Sequence, residues 1–349
     1  RRSAMGKASK DKRDIYYRRA KEEGWRARSA YKLLQLDDEF GLFEGVTRVV
    51  DLCAAPGSWS QVLARRCAAN AARRDQVKIV AIDLQEMAPI EGVDQITGDI
   101  TDAAVAAQVL SMFRDGEADR YADLVVCDGA PDVTGMHDLD EYLQAQLLLS
   151  ALGITTQLLR HGGTFVAKIF RGKDITLLYA QLKLFFPFVV CAKPKSSRNS
   201  SVEAFVVCRN FSPPEGLDLE AIAGLSTWHY PSEELKNSLS RITVPFVACG
   251  DLSGYDADAN YPLPEGKDGN AYVVQEPVQK PTTPAYRAFL EAHASGRQLV
   301  LDVARPGTNN NAAPPARCPV LDDPEVDVFV TSSVHDGPGD CSMFDALIQ

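Results

Sequence analysis

Between residues 46 and 211, short runs rich in β-branched residues alternate with longer amphipathic segments. That alternation leaves few architectures open. The runs predict strands over 46–53, 77–84, 93–99, 122–127, 163–170, 188–193 and 202–211, with helices over 58–74, 102–114, 139–160 and 175–186. Strands separated by helices at this spacing form βαβ units, because parallel neighbours need a crossover of about a dozen residues or more. The expected fold class is α/β, with a doubly wound, seven-stranded, mainly parallel sheet. The last two runs are joined only by the Pro/Ser/Arg-rich stretch Pro194 to Ser201, too short for a helical crossover, so they should pair antiparallel. Ahead of the sheet, Ser29 is a possible N-cap for an amphipathic helix carrying Tyr31, Leu33, Leu34, Leu36 and Phe40, with Lys32 near its start.

Charge divides the chain further. Its formal net charge is -10, which alone argues against a nucleic-acid binder. Residues 1–32 nevertheless hold twelve Lys/Arg and four acids, a balance of +8, leaving -18 on the remainder. Such asymmetry suits a basic arm for a polyanion on an acidic body, or else a solubilising terminus. Residues 251–349 carry fifteen acids and six Lys/Arg. Four segments follow: a basic helical arm over 5–45, a core over 46–211, an irregular extension over 212–303 suited to partner docking, and an acidic tail over 304–349 that reads as linker-like.

Eight cysteines are scattered without a C-x-x-C pair, so zinc-site spacing is absent and no metal is expected. Several lie in apolar runs and read as reduced core residues of a cytosolic or nuclear protein. No apolar stretch reaches the roughly 18 residues of a membrane span, and no apolar segment of a secretory signal follows the basic terminus.

The chemistry sits at strand ends. The first strand runs into Asp51-Leu52-Cys53-Ala54-Ala55-Pro56-Gly57-Ser58-Trp59. In doubly wound sheets ligands bind at the carboxyl ends of strands, and a small-residue turn with Gly57 lets backbone approach a ligand closely. The loop lacks the glycine spacing of dinucleotide or P-loop phosphate cradles, which disfavours a nicotinamide oxidoreductase. Asp83, Asp99 and Asp128 end the next three strands. Asp83 is placed to accept ribose hydroxyls and Asp99 to meet an adenine, although acids at such positions also serve as helix caps. Lys168 interrupts an apolar strand, where burial is costly without partners or a task. As a base it would need its pKa lowered by burial and a second cation such as Lys32, against the pull of Asp128 and Glu203. Taken alone, Lys168 could snorkel to solvent, Lys32 could be a helix-surface lysine and Glu203 an edge residue.

The segments KASKDKRDIYYRRAKEEGWRARSAYKLLQLDD, DLCAAPGSWSQV, DGAPDVTG, FVAKIFRG and KPKSSRNSSVEAF together strongly resemble the FtsJ/RrmJ-type ribose 2′-O-methyltransferases. Among these the chain is most similar to the eukaryotic cytoplasmic members that act on the tRNA anticodon loop. The resemblance is dense from about Met5 to Phe211 and weaker to about residue 300. It implies a seven-stranded fold with the last strand antiparallel and S-adenosylmethionine as cofactor, held by Gly57, Trp59, Asp83, Asp99 and Asp128. It implies a Lys-Asp-Lys-Glu tetrad on Lys32, Asp128, Lys168 and Glu203, with Lys168 the proton acceptor. It also implies a cytoplasmic enzyme methylating nucleotides 32 and 34 of tRNA, with auxiliary proteins of helical-repeat and WD-repeat type. RNA would be held by Lys7, Lys10, Lys12, Arg13, Arg18, Arg19, Arg26, Arg28, Lys195 and Arg198, with Lys193 extending the track. Tyr16, Tyr17, Trp25 and Tyr31 would either stack on bases or anchor the first helices. A relative acting on rRNA precursor or an mRNA cap, and an inactive RNA-binding scaffold, are the alternative readings.

Overall fold

The strands form where Val and Ile runs can be buried on both faces of a sheet, and the helices form where apolar residues recur on one stripe. A computed structural model describes residues 9–70, 77–114, 120–131, 135–216, 242–264 and 272–279. The elements are α1 (Ile15–Glu22), α2 (Ala30–Phe40), β1 (Arg48–Leu52), α3 (Ser58–Asn70), β2 (Lys78–Asp83), β3 (Asp94–Thr97), α4 (Ala103–Phe113), β4 (Ala122–Cys127), α5 (His137–Leu158), β5 (Leu159–Phe170), α6 (Ile175–Lys183), β6 (Phe188–Pro194), β7 (Glu203–Arg209) and β8 (Phe246–Cys249). The strand order is β3-β2-β1-β4-β5-β7-β6-β8. Pairings β1–β2, β1–β4, β2–β3, β4–β5 and β6–β8 are parallel. Only β7, inserted between β5 and β6, runs against its neighbours.

The doubly wound parallel sheet and the antiparallel late strand agree with the sequence expectation. The strand count does not: the sheet has eight strands rather than seven. The eighth comes from the supposed irregular extension. The residues of β8 pair with β6 from Cys191↔Phe246 to Pro194↔Cys249. Four residues in a Pro- and Gly-flanked context carry too little periodicity to register as a strand. The helix expected to reach residue 160 ends at Leu158, and Leu159 already pairs with Ala122.

Alternation along each strand splits the core into two layers. Val50, Val80, Val125, Phe165, Ala167 and Val206 face the layer of α4, α5 and α6. Val49, Ile79, Leu124, Val126, Phe205 and Val207 face α2 and α3, meeting Leu33, Leu36, Trp59 and Leu63. Lys168 shares a face with Phe205, opposite it in register, so its side chain enters the second layer. The two layers therefore place α2, and with it Lys32, over the strand that carries Lys168.

The N-terminal arm is built into this body. Asp14 caps α1 by accepting from the Tyr17 N–H at 2.9 Å. Ser29 makes no capping bond, and its hydroxyl lies 2.6 Å from that of Ser58 instead, linking α2 to the start of α3. After β8 the chain crosses back over the arm. The Tyr261 N–H donates to Lys12 O at 3.0 Å, Arg18 to Pro262 O at 3.0 Å and Lys21 to Gln275 O at 2.8 Å. The Tyr272 hydroxyl meets Asp11 at 3.0 Å. The expected tail over 304–349 and most of the second half of the extension lie outside the described residues, as does Lys7.

Candidate active site

Four elements converge at the carboxyl edge of the sheet. α2 supplies Lys32, the end of β4 Asp128, β5 Lys168 and the start of β7 Glu203. Lys168 and Glu203 lie two register positions apart on neighbouring antiparallel strands, so they emerge on one face. Lys168 Nζ is 2.7 Å from Asp128 Oδ1 and 3.7 Å from Glu203 Oε2. It also donates to the Asp128 backbone carbonyl at 2.6 Å. Lys32 Nζ is 2.8 Å from Glu203 Oε2 and 3.9 Å from Asp128 Oδ1. Two cations and two carboxylates thus alternate in one cluster, with Lys168 only 7% exposed.

Desolvation penalises the Lys168 ammonium, but Asp128 and Glu203 outweigh it, and the pKa is raised above the ordinary lysine value. Burial likewise opposes ionisation of Glu203, yet Lys32 and Lys168, helped by the Ser197 hydroxyl, hold its carboxyl down to about 2. In the contest between burial and anions that sequence left open, the close carboxylates of Asp128 and Glu203 favour the charged form of Lys168.

The residues that steady the tetrad were not foreseen. Ser197 donates to Glu203 Oε1 at 2.5 Å. Lys193, expected on an RNA track, instead donates to the carbonyls of Ser201 and Glu203 at 2.7 and 2.8 Å. Gln144 of α5 donates to the carbonyls of Gly129 and Lys168 at 3.2 and 3.1 Å. A buried Gln in a long helix was the available signal. Asp51 is wholly buried beneath the loop, accepts from Ser60 Oγ at 2.6 Å, and is pushed up to about 7 by burial.

The loop after β1 turns at Gly57, whose φ of 98° strains any residue with a Cβ, and the side-chain ends of Ile90 and Arg26 lie close against it. α3 begins directly after this loop, and the N–H groups of a helix's first turn, which no helical carbonyl can accept from, suit a carboxylate. Asp83 accepts from the Ala55 N–H and the Gln85 N–H, each at 2.8 Å, which orients its carboxylate at the end of β2. Asp99 is exposed and is not the cap of α4; Asp102 is, by accepting from the Ala104 N–H. The Trp59 side chain is only 2% exposed, packs 5.6 Å from the Phe205 ring and donates to Ser29 O at 2.9 Å. That buried indole secures the start of α2. A cavity of about 680 Å³ lies beside this loop, between α3 and the segment before β3, lined by Arg26, Gln61, Arg65 and Ile90 among others.

The candidate RNA-binding cations separate into two groups. Lys12, Arg13 and Arg198 are exposed, and Lys10 projects over the Tyr17 ring at 4.1 Å. Arg18 is buried, Arg26 bridges the carbonyls of Pro56 and Pro89, and Arg28 holds Asp14 at 2.5 Å and the Ser196 carbonyl. Arg19 pairs with Glu23 at 2.9 Å, and Lys195 is half-buried beside β8. Tyr16, Trp25 and Tyr31 are core residues, so the anchoring alternative describes them. Among the described residues no group of His, Cys, Asp and Glu is placed to hold a metal, and no helix is long and apolar enough to cross a membrane.

Residues 25–211 match the model of the FtsJ-like methyltransferase family. The chain belongs to that family. It is 57% identical over 284 residues to a human tRNA (cytidine(32)/guanosine(34)-2′-O)-methyltransferase, covering 81% of this chain and 84% of the relative. It is 52% identical over 291 residues to the Schizosaccharomyces pombe protein of the same name, covering 82% and 97%. An AdoMet-dependent rRNA methyltransferase of Neurospora crassa is 38% identical over 250 residues, covering 72% of this chain but 29% of that protein. As an FtsJ-like methyltransferase the chain has the fold and strand-end loops that S-adenosylmethionine-dependent methylation requires.

Proposed function

We propose that this FtsJ-like protein methylates ribose 2′-hydroxyls of tRNA in the anticodon loop, at nucleotides 32 and 34, with Lys32, Asp128, Lys168 and Glu203 as its catalytic residues. The observation that carries the chemistry is the alternating cluster, in which Lys168 Nζ lies 2.7 Å from Asp128 and 3.7 Å from Glu203 at the mouth of the sheet. The tRNA assignment is supported by the 57% and 52% identities to tRNA enzymes against 38% to the rRNA relative. The coverage supports it too, since this chain spans most of the former and 29% of the latter.

The residues at the loop fit S-adenosylmethionine. The open N–H groups at the start of α3 match its carboxylate, Asp83 its ribose hydroxyls, and Asp99 its adenine edge. When bound, the cofactor supplies an electrophilic methyl group. The protein's task is the alcohol: to hold it in line, take its proton and offset charge developing on its oxygen. Lys168 as the amine accepts that proton, Lys32 stabilises the oxygen, and Asp128 and Glu203 orient both lysines. Because the resting site favours the ammonium, the proton on Lys168 must leave before transfer. The rate should therefore rise with pH.

The protein works in the cytoplasm with helical-repeat and WD-repeat auxiliary proteins on this reading, which rests on the resemblance of its motifs. The test is incubation with labelled S-adenosylmethionine and total tRNA, with and without those proteins, followed by nucleotide mapping. Label at positions 32 and 34 is expected. Label only at other tRNA positions, or none in tRNA, contradicts the assignment.

A further inference from the structure

We infer that Tyr255, backed by Arg19, is a stacking platform for an unpaired base of the RNA substrate, a subsite formed jointly by the N-terminal arm and the C-terminal extension. This rests on the RNA-methylating function proposed above. Three aromatics of the arm, Tyr16, Trp25 and Tyr31, are buried and unavailable for stacking, and the half-buried Tyr17 ring carries Lys10 and Lys21 at 4.1 and 5.0 Å. Tyr255 is different: the residue is 44% exposed, yet it is held in place. Its carbonyl accepts from the Tyr16 hydroxyl at 3.0 Å, and its ring meets that of Tyr261 edge-on at 5.0 Å and 84°. Presenting a rigid aromatic face to solvent gives a partner its contact area without an ordering cost.

The surroundings match a nucleobase. The Arg19 guanidinium lies 5.8 Å from the Tyr255 ring and 5.5 Å from that of Tyr31, tethered by Glu23 at 2.9 Å. Ring and guanidinium plane together form the kind of surface on which bases stack regardless of sequence. Arg198, 57% exposed at its side chain although 3.6 Å from Asp14, adds a cation for the strand's phosphates. Several acids occupy this segment, but they serve the loop: Asp251 accepts from Ser253, and Asp258 from the Asn199 N–H at 2.7 Å and the Ser200 hydroxyl. That last contact links the platform to the active site. Residues 199 and 200 belong to the loop whose Ser197 holds Glu203, and Tyr31 precedes Lys32 on α2. A base held on Tyr255 thus rests on the same loop and helix that position the catalytic side chains.

The test uses the full-length protein, an unmodified tRNA transcript and three variants, Tyr255→Ala, Tyr255→Leu and Tyr255→Phe. Base stacking on an aromatic is strong enough that the Ala and Leu variants should raise KM for tRNA about tenfold. The Phe variant should stay within about twofold of the parent. In all three, kcat at saturating tRNA and the affinity for S-adenosylmethionine should match the parent. Leu keeps apolar bulk without a π-face, so a Leu variant that melts with the Phe variant but binds tRNA like the Ala variant separates stacking from folding. Unchanged KM in all variants, or an equal loss in Phe and Ala, overturns the inference. If the parent protein methylates no RNA, it is the underlying function that fails.

Discussion

At the residue scale the decisive quantity is the proton on Lys168. Asp128 and Glu203 raise its pKa despite burial, so the neutral amine is scarce near pH 7 and grows with pH. Replacing Glu203 by Gln removes one anion, which stabilises the neutral amine. The rising limb of the pH–rate profile should then move to lower pH, even though the plateau falls because Lys32 has lost its partner. A limb that stays in place or moves to higher pH would show that Glu203 does not set the Lys168 proton affinity. Glu203 gives a second reading in the folded state. Its carboxyl is depressed from 4.5 to about 2, so its ionisation contributes stability that is present above pH 4.5 and is lost as pH falls toward 2. Chemical denaturation across that window should show a steeper loss for the parent than for Glu203→Gln. The identities of all four side chains were legible in sequence through the motifs around them. The direction of the Lys168 shift was not, because burial and anions oppose each other and only distances decide between them.

At the scale of elements, the arm and the extension are one structure. Lys21 and Asp11 form a pair 2.7 Å apart with side chains 3% and 0% exposed, and Tyr272 and Gln275 of the extension close over it. Removing one partner of such a pair strands a buried charge, which typically costs about 3–5 kcal/mol. Lys21→Met should therefore lower unfolding stability by that order, measured by urea titration, while Lys12→Ala, at an exposed position, should be near neutral. The sequence suggested the helices and the strand alternation of the core well, since each repeats a period over many residues. It did not reveal β8 or the crossing of 255–264 over α1. Those depend on backbone hydrogen bonds such as Tyr261 N–H to Lys12 O, which leave no periodic trace. The same contacts explain why several cations of the arm hold the fold together: Arg18 and Arg28 spend their donors on Pro262, Asp14 and Ser196.

At the scale of the whole molecule, a body of net charge -10 must attract a polyanion through a local surface. Of the candidate RNA-binding cations among the described residues, only Lys10, Lys12, Arg13 and Arg198 are exposed, so tRNA affinity should depend modestly on salt. Each lysine or arginine that neutralises a phosphate contributes a slope of about 0.7–0.9 to the dependence of log affinity on log salt. The Lys12→Ala/Arg13→Ala double variant should flatten that slope by about 1 to 2, whereas Arg18→Ala, whose side chain is buried, should leave it unchanged. Binding titrations at several salt concentrations distinguish the two. The acidic remainder of the molecule also means that contacts must be concentrated near the active edge, where α2, the 195–201 loop and the extension meet.

The most direct measurement is single-turnover methyl transfer to tRNA by Lys168→Ala, alongside calorimetric binding of S-adenosylmethionine. A proton acceptor of this kind contributes about 10²–10⁴-fold to rate. Transfer should therefore drop by at least that factor while the cofactor still binds with parental affinity. A variant that transfers methyl groups at the parental rate would contradict the assignment of Lys168, and with it the account of this site.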